Sequence, residues 1–301
     1  MTAVVVLAGG TGGAKLARGM LDVVGDGLTV IANTADDLEI YGAHVSPDPD
    51  LCSFWLADLI DERGWGLRDD SFAVMDALRE LGSDVWFNLG DRDLAIAIRR
   101  AQRLGEGARL TETLAELGAA LGLTARVLPM SDEPVRTWVL TDARWTPFQE
   151  FMIRAHGEAP IEDVELRGVD DARPTPEALA AIAAADVIVV GPSNPVISIG
   201  PILALAGMRQ SLIDSPAPVV AISPVVGGAV LKGPTRAFMA WAGHGIDGDS
   251  IADYYDGLID GLVADEPAQG VAVLRTDTLM DDEQARRRVA AETLRFAEAL
   301  R

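Results

Sequence analysis

Several short stretches of this chain carry residue types that could do chemistry. Gly9-Gly10-Thr11-Gly12-Gly13-Ala14-Lys15 gathers four glycines, a hydroxyl and a lysine in seven positions. A glycine-rich turn at the start of a helix offers backbone N–H groups to a phosphate. Asn33-Thr34-Ala35-Asp36-Asp37 ends in paired aspartates, which can hold Mg²⁺, bond a ribose or base, or cap the next turn. In Ser46-Pro47-Asp48-Pro49-Asp50 two prolines stiffen a loop and hold two carboxylates in extended backbone, suiting a hard cation such as Mg²⁺. Leu89-Gly90-Asp91-Arg92-Asp93 sets an arginine between two acids at a helix start. It reads either as a self-neutralised cap or as an arginine oriented toward a polar ligand. Gly191-Pro192-Ser193-Asn194-Pro195 holds Ser193 and Asn194 between prolines, suited to hydrogen-bonding a nucleotide, and Ser223-Pro224-Val225-Val226-Gly227-Gly228 with Lys232-Gly233-Pro234 repeats the theme.

Other chemistries lose ground on the same residues. A nucleotide-kinase loop needs Gly-Lys followed by Ser or Thr, but Ala14 precedes Lys15 and Leu16 follows it. A dinucleotide turn needs glycine or alanine three places after Gly12, where Lys15 stands. A hydrolase elbow would need glycine at Pro195. His44, His156 and His244 share no metal-ligand spacing, and Cys52, the one cysteine, reads as a small buried apolar residue. The chain has two lysines, Lys15 and Lys232, and both sit in glycine-rich segments, as a phosphate site would use them.

These stretches need a scaffold, and the pattern supplies one. Continuous apolar runs at Val4–Ala8, Leu28–Ala32, Val187–Val190, Val219–Ile222 and 271–274 read as strands covered on both faces, with helical patterns between them. The expected fold is α/β: a doubly wound, Rossmann-like, mostly parallel sheet with loops gathered at its carboxyl edge. Residues 1–51 and 124–301 form this core, with a small β-hairpin excursion at about 134–169 built from 135–140 and 144–148. Residues 52–123 read as a helical insertion after the second strand, with helices at 54–61, 72–81, 94–104 and 110–121. A last amphipathic helix spans 281–300, with Asp281 and Gln284 at capping-box spacing.

Composition bounds the partners. The 301 residues carry 46 acidic against 25 basic side chains, a formal net charge of −21, which argues against nucleic acid as a partner. No apolar run approaches the roughly 18 residues of a membrane span, and the first apolar run lacks a basic leader, so no membrane partner and a cytoplasmic location are expected.

Taken in order and spacing, the segments named above, with Leu128-Pro129-Met130-Ser131-Asp132, resemble the CofD family, called FbiA in actinobacteria. The resemblance covers nearly the whole chain. It implies transfer of a phosphorylated three-carbon acid from its guanosine diphosphate ester to FO, a 5-deazariboflavin, with release of GMP, during coenzyme F-420 biosynthesis. It also implies Mg²⁺ dependence and a cytoplasmic homodimer. By the same likeness Asp50 and Arg92 contact FO, and Gly10, Thr11, Gly12, Asn33, Ser193 and Asn194 lie along the guanosine diphosphate path, where Lys15 and Lys232 add charge. Asp48 and Asp50 are the candidate metal ligands, and Asp50 or Asp37 the candidate base. Pro49 and Gly13-Ala14 depart from the family's pattern, and the acid (lactate, enolpyruvate or glycerate) stays open. The alternative is a nucleotide-sugar-binding regulator of the gluconeogenesis-factor group without turnover. Those proteins continue Gly-Gly-Ser-Ser-Gly after the paired aspartates, where this chain reads Leu38-Glu39-Ile40-Tyr41-Gly42.

Overall fold

The computed structural model describes residues 2–231 and 233–301; the candidate Lys232 lies outside them. The central sheet has seven strands among the described residues: β1 Val4–Ala8, β2 Leu28–Ala32, β3 Arg126–Pro129, β4 Val187–Val190, β5 Val219–Ile222, β6 Gly261–Ala264 and β7 Ala272–Arg275. They lie in the order β7-β6-β5-β4-β1-β2-β3, and every neighbouring pair is parallel. The chain runs outward from β1 to β3 and then returns to β4 on the other side of β1. The carboxyl ends of β1 and β4 therefore flank the crevice where winding reverses, the usual place for a ligand in such sheets.

Burial on both faces explains the unbroken apolar runs. Val4, Val6 and Ala8 join Val30, Val187 and Val189 in one core, while Val5, Leu7, Ile31, Ile188 and Val190 face the other. Helix α1, Gly10–Val24, covers the first face with Leu16 and Met20, and the last helix, Glu283–Ala299, adds Val289 and Leu294. The opposite face is covered in part by Phe148–Arg154, Pro176–Ala183 and Thr235–Trp241. No helix among the described residues is long and apolar enough to cross a membrane.

The structure departs from expectation in four places. β3 and β6 were not anticipated: β3 is an edge strand that opens on exposed Arg126 and ends on Pro129, and β6 opens on a glycine. A Cβ at Gly261 would stand 2.6 Å from the Phe296 ring, so the glycine lets the last helix close on the sheet. That helix is capped by Asp282, which accepts from the Ala285 N–H, one residue later than expected. The excursion gains a third antiparallel strand, Asp163–Arg167, beside Arg136–Thr141 and Arg144–Pro147.

The fourth departure matters most. The double-proline stretch is helical: α2 spans Pro47–Leu56, and the Asp50 N–H closes its first turn on the Ser46 carbonyl at 3.0 Å. The prolines stand where first-turn N–H groups have no intrahelical partner, so they start the helix instead of stiffening a loop. The division drawn at 51/52 thus falls inside α2, whose Leu51, Cys52 and Trp55 belong to the main core. Beyond it, Ala73–Glu80, Asp91–Gly105 and Leu110–Ala120 are helical as expected, and the first two join a ribbon, Leu38–Ile40 with Ala43–Val45, around a small core of Val45, Met75, Leu89, Leu94 and Ala97.

Candidate active site

The first loop is built for close approach. Gly9 leaves β1 extended, and Gly10, at φ 63°, turns the chain into α1. A Cβ at Gly12 would stand 2.0 Å from the Pro192 carbonyl oxygen, so α1 lies flush on the loop after β4. Ser193 Oγ accepts the Gly9 N–H at 3.2 Å and ties the two loops together. Gly12→Ala is therefore expected to force these loops apart, at a cost of about 1–3 kcal/mol. Thermal unfolding checks this; an alanine variant that melts with the wild type would show that the contact yields.

The two loops form one wall of a cavity of about 770 Å³, to which Gly10, Thr11, Gly12, Lys15, Ser193 and Asn194 all contribute. The Asn194 side-chain oxygen accepts the Val196 and Ile197 N–H groups at 2.9 and 3.3 Å, while its buried Nδ2 has no partner. That donor is available to a ligand. The same cavity is lined by apolar and aromatic side chains, among them Phe54, Trp65, Trp86, Phe87, Phe148 and Met152. Trp65 is 54% exposed. The cavity thus combines helix-start amides and a lysine with aromatic rings.

Carboxylates share this lining. Asp48 Oδ1 accepts the Gly10 N–H at 2.6 Å, and Oδ2 accepts from Asn33 Nδ2 at 2.9 Å. Burial pushes the Asp48 carboxyl up to about 6 against the pull of those donors. Asp36 also lines the cavity; burial, with the charges of Asp48 and Asp37, holds its carboxyl well above the usual range, and its Oδ1 is buried with no partner. A hard divalent cation fits this pair, because an orphaned oxygen and two mutually repelling carboxylates are what a bound cation satisfies. Among the described residues no group of three or more His, Cys, Asp or Glu could hold a metal. Two carboxylates would leave the remaining positions to water and phosphate oxygens, a common arrangement for Mg²⁺.

Asp50 lines the cavity too, but Arg100 grips both of its oxygens, Nη1 at 3.0 Å from Oδ2 and Nη2 on Oδ1. Both residues are 3% exposed. With its charge already paired to the Arg100 guanidinium, Asp50 is poorly fitted to ligate a metal or accept a proton; Asp36, which has no cationic partner, fits the cation better.

Three other expected residues stand elsewhere. Asn33 is fully buried behind Asp48 and orients it, outside the cavity wall. Asp37 bonds Ser46 Oγ at 2.8 Å and His44 Nε2 at 3.1 Å, and it faces a second cavity of about 500 Å³ beside Glu39 and Arg136. It is a structural anchor of the ribbon and stands apart from the main cavity. Arg92 is exposed, its guanidinium on the Arg68 carbonyl at 3.1 Å and away from the cavity. Within its motif, Asp91 caps the neighbouring helix by accepting the Ala73 and Val74 N–H groups at 3.1 and 3.0 Å, while Asp93 lines the cavity.

Sequence reasoning offered Asp36 only as one of a pair that could hold Mg²⁺, bond a ribose or base, or cap a turn, gave Asp93 no role beyond a helix cap, and singled out neither Arg100 nor the aromatic side chains. Arg100 had one legible signal: it follows Leu94 and Ala97 at helical spacing on the apolar face of Asp91–Gly105, where a charge needs a partner.

Comparison with known proteins adds four findings. The family model described as 2-phospho-L-lactate transferase CofD matches residues 4–295. The chain is 40% identical to a phosphoenolpyruvate transferase of Kitasatospora aureofaciens, covering 99% of this chain and 98% of that one. It is 37% identical to a 2-phospho-L-lactate transferase of Methanosarcina mazei, covering 95% and 97%. A solved structure of a UPF0052 family protein from Bacillus halodurans shares the fold at a TM-score of 0.65 and 19% identity, over 98% and 99% of the two chains.

Proposed function

The chain belongs to the CofD family and is a transferase of the 2-phospho-L-lactate and phosphoenolpyruvate transferase type, and on that premise we propose that it joins a phosphorylated three-carbon acid to the deazaflavin FO in coenzyme F-420 biosynthesis. The donor is the guanosine diphosphate ester of the acid. A ribityl hydroxyl attacks the phosphorus that bears the acid, and GMP leaves.

The observation that carries this reading is the single cavity at the β1/β4 crevice that combines a glycine-rich helix start and a lysine with aromatic rings. A diphosphate suits Gly10, Thr11, Gly12 and Lys15, where backbone amides and a cation offset its charge in a strongly acidic protein. Ser193 and the unpartnered Asn194 Nδ2 suit the nucleotide. A planar deazaflavin suits the rings of Trp86, Phe87 and Phe148. Asp50, fixed by Arg100, also lines the cavity and would border the acceptor. Phosphoryl transfer asks the protein mainly for positioning and charge neutralisation, and this cavity supplies surfaces for both. Mg²⁺ on Asp48 and Asp36 would, when bound, neutralise the oxygens of the diphosphate.

The test is direct. Protein incubated with Mg²⁺, FO and a guanylylated lactate, enolpyruvate or glycerate is expected to release GMP and form an anionic deazaflavin, read by mass spectrometry. Nucleotide binding with no turnover on any of the three donors would overturn the reading.

A further inference from the structure

We propose that Asp93 is the catalytic base of the transfer, the group that takes the proton from the acceptor hydroxyl as its oxygen attacks phosphorus. The proposal rests on the reading above and adds a residue to it.

The argument begins with how Asp93 is held. Gly90 and Asp91 open the helix Asp91–Gly105, and Asp70 accepts the Arg92 and Asp93 N–H groups at 2.9 and 3.3 Å, which fixes the first turn. A Cβ at Gly90 would stand 2.1 Å from Asp70 Oδ2, so only glycine lets that carboxylate reach the turn. Leu94 and Ala97 are buried in the small core and lock the helix orientation. Of the three charged residues in this turn, Asp93 alone lines the main cavity, which it shares with Leu89, Phe87 and Trp86.

Its chemistry separates it from the other carboxylates nearby. Asp37, Asp48 and Asp50 each have both oxygens engaged by donors. No described residue donates a hydrogen bond to the Asp93 carboxylate, so its lone pairs are open to a substrate proton. The charged groups facing it are Asp50 from α2, Arg100 from its own helix and Asp70 from the preceding loop. Burial and the repulsion of Asp50 and Asp70 outweigh the attraction of Arg100, and together they push its carboxyl up to about 7. A base is most effective when its pKa lies near the working pH, and a carboxyl so placed can accept a proton and return it to water.

The step balances. The bond between the acceptor oxygen and phosphorus forms, the bond between phosphorus and the GMP oxygen breaks, and that oxygen leaves with the electron pair. The hydroxyl proton passes to Asp93 and then to solvent. No oxidant, reductant or further co-reactant is needed.

The experiment measures kcat and KM for FO against pH, by GMP release at saturating Mg²⁺, in the wild type, Asp93→Asn and Asp93→Glu. Because the base must be ionised, wild-type kcat is expected to rise with pH through about 7 and then level. Asp93→Asn is expected to lose about 10²–10⁴-fold in kcat with little change in KM, and to lose the acidic limb of the profile. Asp93→Glu keeps a limb, displaced from the wild type's. An Asp93→Asn enzyme with wild-type kcat or an intact limb would overturn the assignment, and so would an unmoved limb in Asp93→Glu should the asparagine variant fail to fold. Absence of wild-type turnover on all three donors would instead overturn the transfer itself, and this base with it.

Discussion

Arg100→Met is expected to cost about 3–5 kcal/mol of folding stability, because it strands the buried carboxylate of Asp50 without its counter-charge. The guanidinium does more than pair: Nη1 also donates to the His44 carbonyl at 3.0 Å, tying the helix Asp91–Gly105 to the ribbon. Asp50, Asp37 and Asp93 all hold Arg100 charged against the burial that opposes it. Removing this one cation therefore leaves three neighbouring acids to repel one another. Denaturant unfolding checks the loss. The double variant Asp50→Leu, Arg100→Met is expected to recover most of it, since an apolar pair of similar bulk leaves nothing unpaired. A single variant as stable as the wild type would show that Asp50 is already neutral in the folded protein.

A large catalytic effect is also expected from Asp48→Asn. Asp48 touches the start of α1 through the Gly10 N–H, orients on Asn33, and with Asp36 makes the pair that fits a cation. An amide in its place removes the charge and turns a donor toward either Gly10 or Asn33, each of which is itself a donor. A bound metal contributes several kcal/mol to phosphoryl transfer, so turnover is expected to fall about 10²–10³-fold or more. A second measurement separates metal loss from general damage. Mg²⁺ is expected to raise the unfolding temperature of the wild type, because a ligand that binds only the native state stabilises it, and to leave that of Asp48→Asn unmoved. An equal Mg²⁺ shift in both proteins would remove Asp48 from the cation site.

The Asp50 and Asp48 cases show why two aspartates one residue apart have different fates. On extended backbone they would point to the same side; on the first turn of α2 they lie about 200° apart around the helix axis. One reaches the β1 turn and the other reaches Arg100, fifty residues onward. Prolines at Pro47 and Pro49 are compatible with either backbone, so the motif alone could not decide. Asp36 and Asp37 repeat the lesson: adjacent acids part to opposite sides of one wall, Asp36 to the main cavity and Asp37 to His44 and the second cavity.

What the amino-acid order determined by itself was everything governed by local pattern. Continuous apolar runs implied strands covered on both faces, and glycines after Ala8 implied a strand-to-helix turn fit for phosphate. Their succession implied a wound parallel sheet with its loops at one edge. Tertiary structure alone decided which side chains of those loops meet. Neighbour choice in a folded chain depends on packing between segments far apart in sequence: Asp50 with Arg100, Gly12 with Pro192, Asp48 with Gly10. A charge acquires its pKa and its role from such contacts, and no local spacing encodes them.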